Sequence, residues 1–344
     1  MAEILTGAQS TLTGSLTMPP RVVALGGGHG LYATLTALRH LTRDLTAVVT
    51  VADNGGSSGR LRDAYGSIPP GDLRMALAAL CDDSEKGQAW REILQHRFGP
   101  PRLPQETEVV EGLTGLEGHA LGNLLILTAW ERLGGPVQGL AALSRLVSAR
   151  GRVLPMSSQP LNIEATVTGL DPSAPERRDL VVGQKEVARC RAFVESVRLD
   201  PADPPAEPQA VEAVEAADWV VLGPGSWYTS VMPHLLVPQL RDAIVGSSAR
   251  RVLTMNIDSS GENLGRTPAE QVAAVLENAP GFVPNVVLVD ERQVEDTAER
   301  RALEEIVSQS DGEVVVTDLV HRSHPGVHDV MRLATAYQDL LQSR

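Results

Sequence analysis

Apolar positions in this chain come in short unbroken runs, each closed by a glycine or polar turn and most followed by a stretch with helical spacing. Residues 21–25 read as strand, 30–41 as helix and 46–52 as strand, a βαβ unit. The runs Val22-Val23-Ala24-Leu25, Ala47-Val48-Val49-Thr50-Val51-Ala52 and Trp219-Val220-Val221-Leu222 are β-branched and show no apolar–polar alternation. Strands covered on both faces, as in parallel sheets, have this pattern. Helices are predicted at 71–81, where Asp72 follows Pro69-Pro70-Gly71, then at 87–97, 119–133 and 136–148, the last two separated by Gly134-Gly135-Pro136.

From 152 to 200 the pattern changes. Val153-Leu154, Ala165-Thr166-Val167-Thr168, Leu180-Val181-Val182 and Phe193-Val194 are short β runs between polar turns, which predicts a small antiparallel β insertion. A Pro/Ala/Asp linker, Pro201 to Pro208, and a helix at 209–216 return the chain to the α/β pattern. Strands near 251–256, 285–289 and 313–317 alternate with helices near 233–244, 268–277 and 328–341. The expected fold class is α/β, a Rossmann-like, mostly parallel sheet flanked by helices. One nucleotide-binding domain is expected over 21–344, with a disordered leader at 1–20 and a mobile connector at 99–117.

Composition narrows the partners. A net charge of −13 disfavours nucleic acid and anionic membranes, and aromatics at 3% leave few rings for base stacking. Two cysteines give no disulfide framework, and no apolar run approaches the roughly 18 residues a membrane span needs. A cytoplasmic location is the expectation.

The candidate chemistry lies where the apolar runs end. Gly26-Gly27-Gly28-His29-Gly30 follows the first run and contains Gly28-x-Gly30-x-x-Ala33, a Gly/Ala variant of the dinucleotide fingerprint. The alternative for such a turn is a tight strand–helix junction with no ligand. Asp53-Asn54-Gly55-Gly56-Ser57-Ser58-Gly59-Arg60-Leu61-Arg62 follows the second run, offering backbone and hydroxyl donors and cations suited to a phosphate. Asp53 is placed for a sugar hydroxyl, a metal or a turn cap. Gly223-Pro224-Gly225-Ser226-Trp227-Tyr228-Thr229-Ser230 follows the third as a further anion cradle, although Ser/Thr capping explains part of it.

Asp72 and Arg74 are either a helix cap and a surface charge or a hydroxyl and anion contact. His119 and Asn123 stand four apart at the start of an apolar helix, a polar-site candidate against a purely structural reading. Asn256, ending a further strand, completes the predicted ligand-binding set. His321, His324 and His328 match no standard zinc spacing, and Asp329 serves as a helix start. No nucleophile elbow, His-Glu-x-x-His or P-loop lysine is present in the sequence, so no catalytic or metal-binding residue is assigned.

Taken together, Gly26–Gly30, Val51–Arg62, Pro70-Gly71-Asp72-Leu73-Arg74, Gly118-His119-Ala120-Leu121-Gly122-Asn123-Leu124-Leu125 and Leu222–Ser230 resemble the YvcK, or gluconeogenesis-factor, family. That family is related to the 2-phospho-L-lactate transferases, and its motifs recur in order over about 21–335. The resemblance implies a Rossmann-like cytosolic protein that binds UDP-N-acetylglucosamine, needs no cofactor and links carbon metabolism to cell shape and wall-precursor supply. It leaves room for a regulatory protein partner and a homo-oligomer. Departures are His29 for the usual Thr, Asn54 for Asp, Ser259-Ser260-Gly261-Glu262-Asn263 for a Gln-Pro-Gly-Glu-Thr segment, and Arg266 for an aromatic. Asn54 bears on a metal role, and Arg266 on an aromatic contact to the uracil. A phosphoryl-group transferase and an NAD-dependent dehydrogenase are the alternatives to a binding regulator.

Overall fold

The computed structural model describes residues 18–100, 115–257 and 266–343. Apart from their margins, the leader at 1–20 and the connector at 99–117 lie outside the described residues, as does Ser259–Asn263 entirely.

Seven strands form one parallel sheet: β1 (Val22–Gly26), β2 (Leu45–Val49), β3 (Arg152–Pro155), β7 (Trp219–Leu222), β8 (Arg250–Thr254), β9 (Val286–Asp290) and β10 (Glu313–Thr317). Their order is β10-β9-β8-β7-β1-β2-β3, and every pairing is parallel. Every residue of β1, β2, β7 and β9 is buried, as the unbroken apolar runs require of strands covered on both faces. The chain runs outward from β1 through β2 to β3, then returns to lay β7 against the other side of β1. The sheet therefore changes direction between β1 and β7, and crevices for ligands open beyond the carboxyl ends of strands at such a point.

The first half carries α1 (Gly28–Leu38), α2 (Gly56–Tyr65), α3 (Gly71–Leu80), α4 (Glu85–Gln95), α5 (Leu121–Leu133) and α6 (Pro136–Leu146). Between β3 and β7 stand β4 (Asn162–Thr168), β5 (Arg178–Val182), α7 (Gln184–Arg189), β6 (Phe193–Asp200) and α8 (Pro208–Glu215). β5, β4 and β6 form the antiparallel insertion, and Ile163, Ala165 and Val167 alternate inward along β4. Val153-Leu154, read from sequence as part of that insertion, instead belongs to β3 and pairs parallel with β2 as the edge of the main sheet.

The second half carries a π-helical turn (Trp227–Val231), α9 (Met232–Leu235), α10 (Pro238–Gly246), α11 (Pro268–Asn278), α12 (Thr297–Ser308), a hairpin of β11 (Val320–His321) and β12 (His324–His328), and α13 (Val330–Gln342). The helix predicted at 233–244 is divided, because Val237 is extended immediately before Pro238 opens α10. Asp329 caps α13 by accepting from Met331 and Arg332 N–H.

Candidate functional site

Beyond the carboxyl ends of β1 and β7 the first and third glycine turns touch. A Cβ placed on Gly30 would lie 2.0 Å from Pro224 O and 3.0 Å from Gly225 N, so only a hydrogen fits between the turns. Gly27, in extended conformation, precedes α1, and Gly28 adopts φ +57°, a left-handed conformation that suits glycine. His29 stands exposed in the first turn of α1. Gly223, also left-handed, lies against the β8 carbonyl of Thr254, which brings the end of β8 and the half-buried Asn256 beside the third turn. Asn256 offers its backbone carbonyl to Gln293 Nε2 at 2.8 Å.

The start of α3 joins the second turn to the first. Gly71 N–H donates to Ser58 Oγ at 2.9 Å, and Asp53 Oδ1 accepts from Gly55 N–H at 2.8 Å. Asp72, 8% exposed, accepts from the Gly28 amide, and its Oδ2 atom has no hydrogen-bond partner among the described residues. A Cβ on Gly27 would lie 2.6 Å from Asp72 Oδ2 and 2.5 Å from Thr50 Cγ2, so these groups share one small volume. Burial, with the Asp53 charge adding to it, pushes the Asp72 carboxyl up to about 7. Burial also raises Asp53, against the opposing pull of the Gly55 amide, Ser58, Arg62 and Arg74.

Arg74, two residues further along α3, is buried, with its Nε unpartnered and its cation disfavoured by burial. α5 starts beside it: a Cβ on Gly122 would meet Arg74 Cγ at 2.8 Å. Ser57 Oγ lies 3.0 Å from His119 Nδ1 and accepts from Asn123 Nδ2 at 2.9 Å, tying α5 to α2. Burial lowers the His119 pKa, and the Arg60 and Arg97 charges lower it further. Asn123 Oδ1 and Thr50 Oγ1 are buried without partners. Thus α1, α2, α3 and α5 all begin without a cap from their own N-cap side chain, and Asp72, Ser58 and Ser57 supply bonds from neighbouring segments instead.

Replacing Ser57 by Ala leaves His119 and Asn123 buried without that hydroxyl. The expected cost is about 2 kcal/mol, seen as a lowered urea midpoint with an unchanged slope.

Not every polar residue of the second turn faces this volume. Asn54 donates from Nδ2 to Glu186 at 2.8 Å and accepts at Oδ1 from the Lys185 amide at 3.1 Å, which fastens α7 of the insertion. An aspartate there would set two carboxylates against each other, which accounts for the amide in this chain. Arg62 donates to Leu161 O and Asn162 Oδ1 at the root of the insertion. Arg60 is exposed and donates to Glu117 O at 2.8 Å, beside Gly118. Ser226 Oγ bonds the Thr229 hydroxyl and accepts from the Thr229 amide, capping the π-helical turn, while Thr229 and Ser230 are buried. The Arg266 guanidinium lies 4.3 Å from the Phe193 ring centre and 5.8 Å from that of buried Tyr228, and donates to Val194 O.

Residues without any sequence motif hold the turns in place. Thr34 donates to Gly223 O at 3.0 Å, and Tyr337 of α13 lies 2.9 Å from the Thr254 hydroxyl and 3.4 Å from that of Thr34. Burial pushes Tyr337 up to about 12. Thr50, the orphaned hydroxyl beside Asp72, appeared in sequence only as part of an apolar run.

Residues 22–331 match the family described as 2-phospho-L-lactate transferase CofD. The chain belongs to this family. A gluconeogenesis factor of Bacillus subtilis (strain 168) is 30% identical over 94% of this chain and 98% of its own length. One from Halalkalibacterium halodurans is 35% identical over 83% and 81%. A Mycobacterium leprae protein, provisionally given the same designation, is 47% identical over 92% and 85%. The crystal structure of a UPF0052-family protein from Bacillus halodurans superposes with a TM-score of 0.77 at 30% identity, covering 93% of this chain and 99% of that one. The resemblance to gluconeogenesis factors expected from the motifs therefore spans most of this CofD-family chain. No helix among its described residues is long and apolar enough to cross a membrane.

Proposed function

We propose that this CofD-family chain is a nucleotide-sugar-binding regulator, taking UDP-N-acetylglucosamine across the direction change of the sheet and linking central carbon metabolism to cell shape and wall-precursor supply. The observation that carries this is the meeting of the glycine turns after β1 and β7, joined by the start of α3 to the turn after β2, with Asp72 Oδ2, Thr50 Oγ1 and Arg74 Nε buried and unpartnered around them. A buried polar group without a partner is costly, and a polar ligand repays that cost. Helix starts that lack a cap from their own N-cap side chain, as at α1, α2, α3 and α5, bring the positive ends of helix dipoles to the turns, which favours a pyrophosphate there. The names of the gluconeogenesis-factor relatives support a role in central carbon metabolism. The carbon-metabolism signal, the wall-precursor role and the cytosolic setting extend the same family resemblance.

A second reading has a specific observation behind it. Asp72, with a carboxyl near 7, can hold or release a proton at neutral pH, as a phosphorus-group transferase of the kind named by the family would use. Phosphorus NMR of UDP-N-acetylglucosamine with protein and magnesium separates the two. A regulator leaves the two phosphate signals unchanged over hours, whereas product signals that disappear in Asp72→Asn install the transferase.

Arg60, exposed at the mouth of the second turn, is expected to contribute a charge-assisted bond to a phosphate. Arg60→Ala should weaken UDP-N-acetylglucosamine binding about tenfold to a hundredfold in calorimetry, with fold stability unchanged. Equal affinity in the variant removes Arg60 from the site.

A further inference from the structure

The other end of the sheet carries a second collection of cations. A cavity of about 850 Å³ opens between the α1–β2 turn and the residues leading into β3, lined among others by Arg39, His40, Arg43, Ala149, Arg150 and Gly151. None of the residues lining it is acidic, in a chain of net charge −13. The volume falls within the roughly 300–1,000 Å³ of small-molecule sites. It lies at the amino ends of β2 and β3, whereas the glycine turns lie at the carboxyl ends of β1, β2 and β7.

Two separate turns deliver these charges. Arg39 is held rigidly, its side chain 3% exposed, by donating to Cys81 O and to Asp83. Arg43 and Arg150 are exposed and make no ion pair or side-chain hydrogen bond among the described residues. Complementing the negative ends of α1 and α6 does not account for them. α1 ends at Leu38 and α6 at Leu146, so both arginines lie beyond the last turn, where the dipole effect has fallen away. Asp83 already has Arg39 at its carboxylate, with Arg91 at 3.5 Å and His40 at 3.9 Å, and Asp82 feels the Arg150 charge without forming an ion pair with it, so among the described residues no acid is paired with Arg43 or Arg150.

We propose that this cavity is a second ligand site, for a small phosphorylated anion, separate from the glycine-turn cleft. Planar guanidinium groups match phosphate oxygens in a forked geometry, and two that approach from different loops select a compact, multiply charged anion. The glycine cleft and this cavity would then read two different small molecules, which suits a protein that reports metabolic state. The site does not depend on what occupies the glycine cleft.

Inorganic pyrophosphate serves as the probe, and the His40 ring carbon–proton signal, assigned by its loss in His40→Gln, serves as the reporter. Titration into the full chain should move that signal saturably, beyond the change produced by sodium chloride at equal ionic strength. In the double variant Arg43→Ala/Arg150→Ala the apparent affinity should fall about a hundredfold, about tenfold for each guanidinium removed. Both residues are exposed, so the melting temperature and UDP-N-acetylglucosamine affinity of the variant should stay at the wild-type values. An unmoved His40 signal, a shift matched by sodium chloride, or a titration unaffected by the double variant overturns the second site. Each leaves the reading of the glycine cleft untouched.

Discussion

Gly30→Ala should be among the most damaging single-methyl substitutions in the chain. The added carbon would sit 2.0 Å from Pro224 O and 2.6 Å from Pro224 C. These are backbone atoms, so no side-chain rotation relieves the overlap. The first and third turns must separate, and with them the start of α1 and the π-helical turn behind Ser226. Overpacking a well-filled interior costs about 1–3 kcal/mol, and a backbone partner places this case at the upper end, about 3 kcal/mol. The urea midpoint should fall accordingly. If the proposed nucleotide-sugar site spans these two touching turns, ligand affinity should fall by more than the stability loss alone explains. Gly28→Ala is the control. It adds a left-handed strain but meets nothing within 4 Å, so it should cost about 1 kcal/mol and leave the two turns in contact.

Asp72→Asn should make the protein more stable at pH 8, by up to about 4 kcal/mol, because the carboxyl is moved from its ordinary value near 4 to about 7. The direction follows from proton binding. Between pH 4 and 7 the unfolded chain has released the Asp72 proton while the folded chain retains it. Folding then binds a proton, so stability falls as pH rises through this window and levels off above 7. The neutral amide removes the dependence. Wild type and variant should converge toward pH 4 and diverge toward pH 8 in urea midpoints measured at fixed ionic strength. Parallel curves for the two proteins would contradict the raised carboxyl. A residue whose replacement stabilises the fold is the pattern expected of a group retained for function.

The main sheet was legible because parallel strands are covered on both faces. Val22–Leu25, Ala47–Val49 and Trp219–Leu222 have to be apolar throughout, and their short, β-branched runs ending in glycine or polar turns set them apart from the apolar stretches of the helices. What the pattern left out is partner choice. Val153-Leu154 is as short and apolar as the insertion strands, and only its position beside β2 assigns it to the main sheet. Gly56-Ser57-Ser58-Gly59 reads as a loop because glycine and serine are poor helix formers. It begins α2 nonetheless, since Ser57 and Ser58 bond to α5 and α3 and the helix is held by tertiary contacts.

The site was legible in its motifs and opaque in their orientation. Asp53, Asp72 and the three glycine turns stand together. Asn54 and Arg62 face the insertion, whose bonding groups lie about a hundred residues or more away in the chain. Thr34, Thr50 and Tyr337 carried no signal, because a hydroxyl within an apolar segment resembles any other core position until its neighbour is known.

On the proposed function, the three glycine turns form one cleft for one nucleotide sugar. Amide-resolved NMR of the protein titrated with UDP-N-acetylglucosamine tests it most directly. The amides of Gly28–Gly30, Gly55–Ser58 and Gly225–Ser226 should shift together and saturate at one ligand concentration. Shifts confined to a single turn, or none at millimolar ligand, would contradict it.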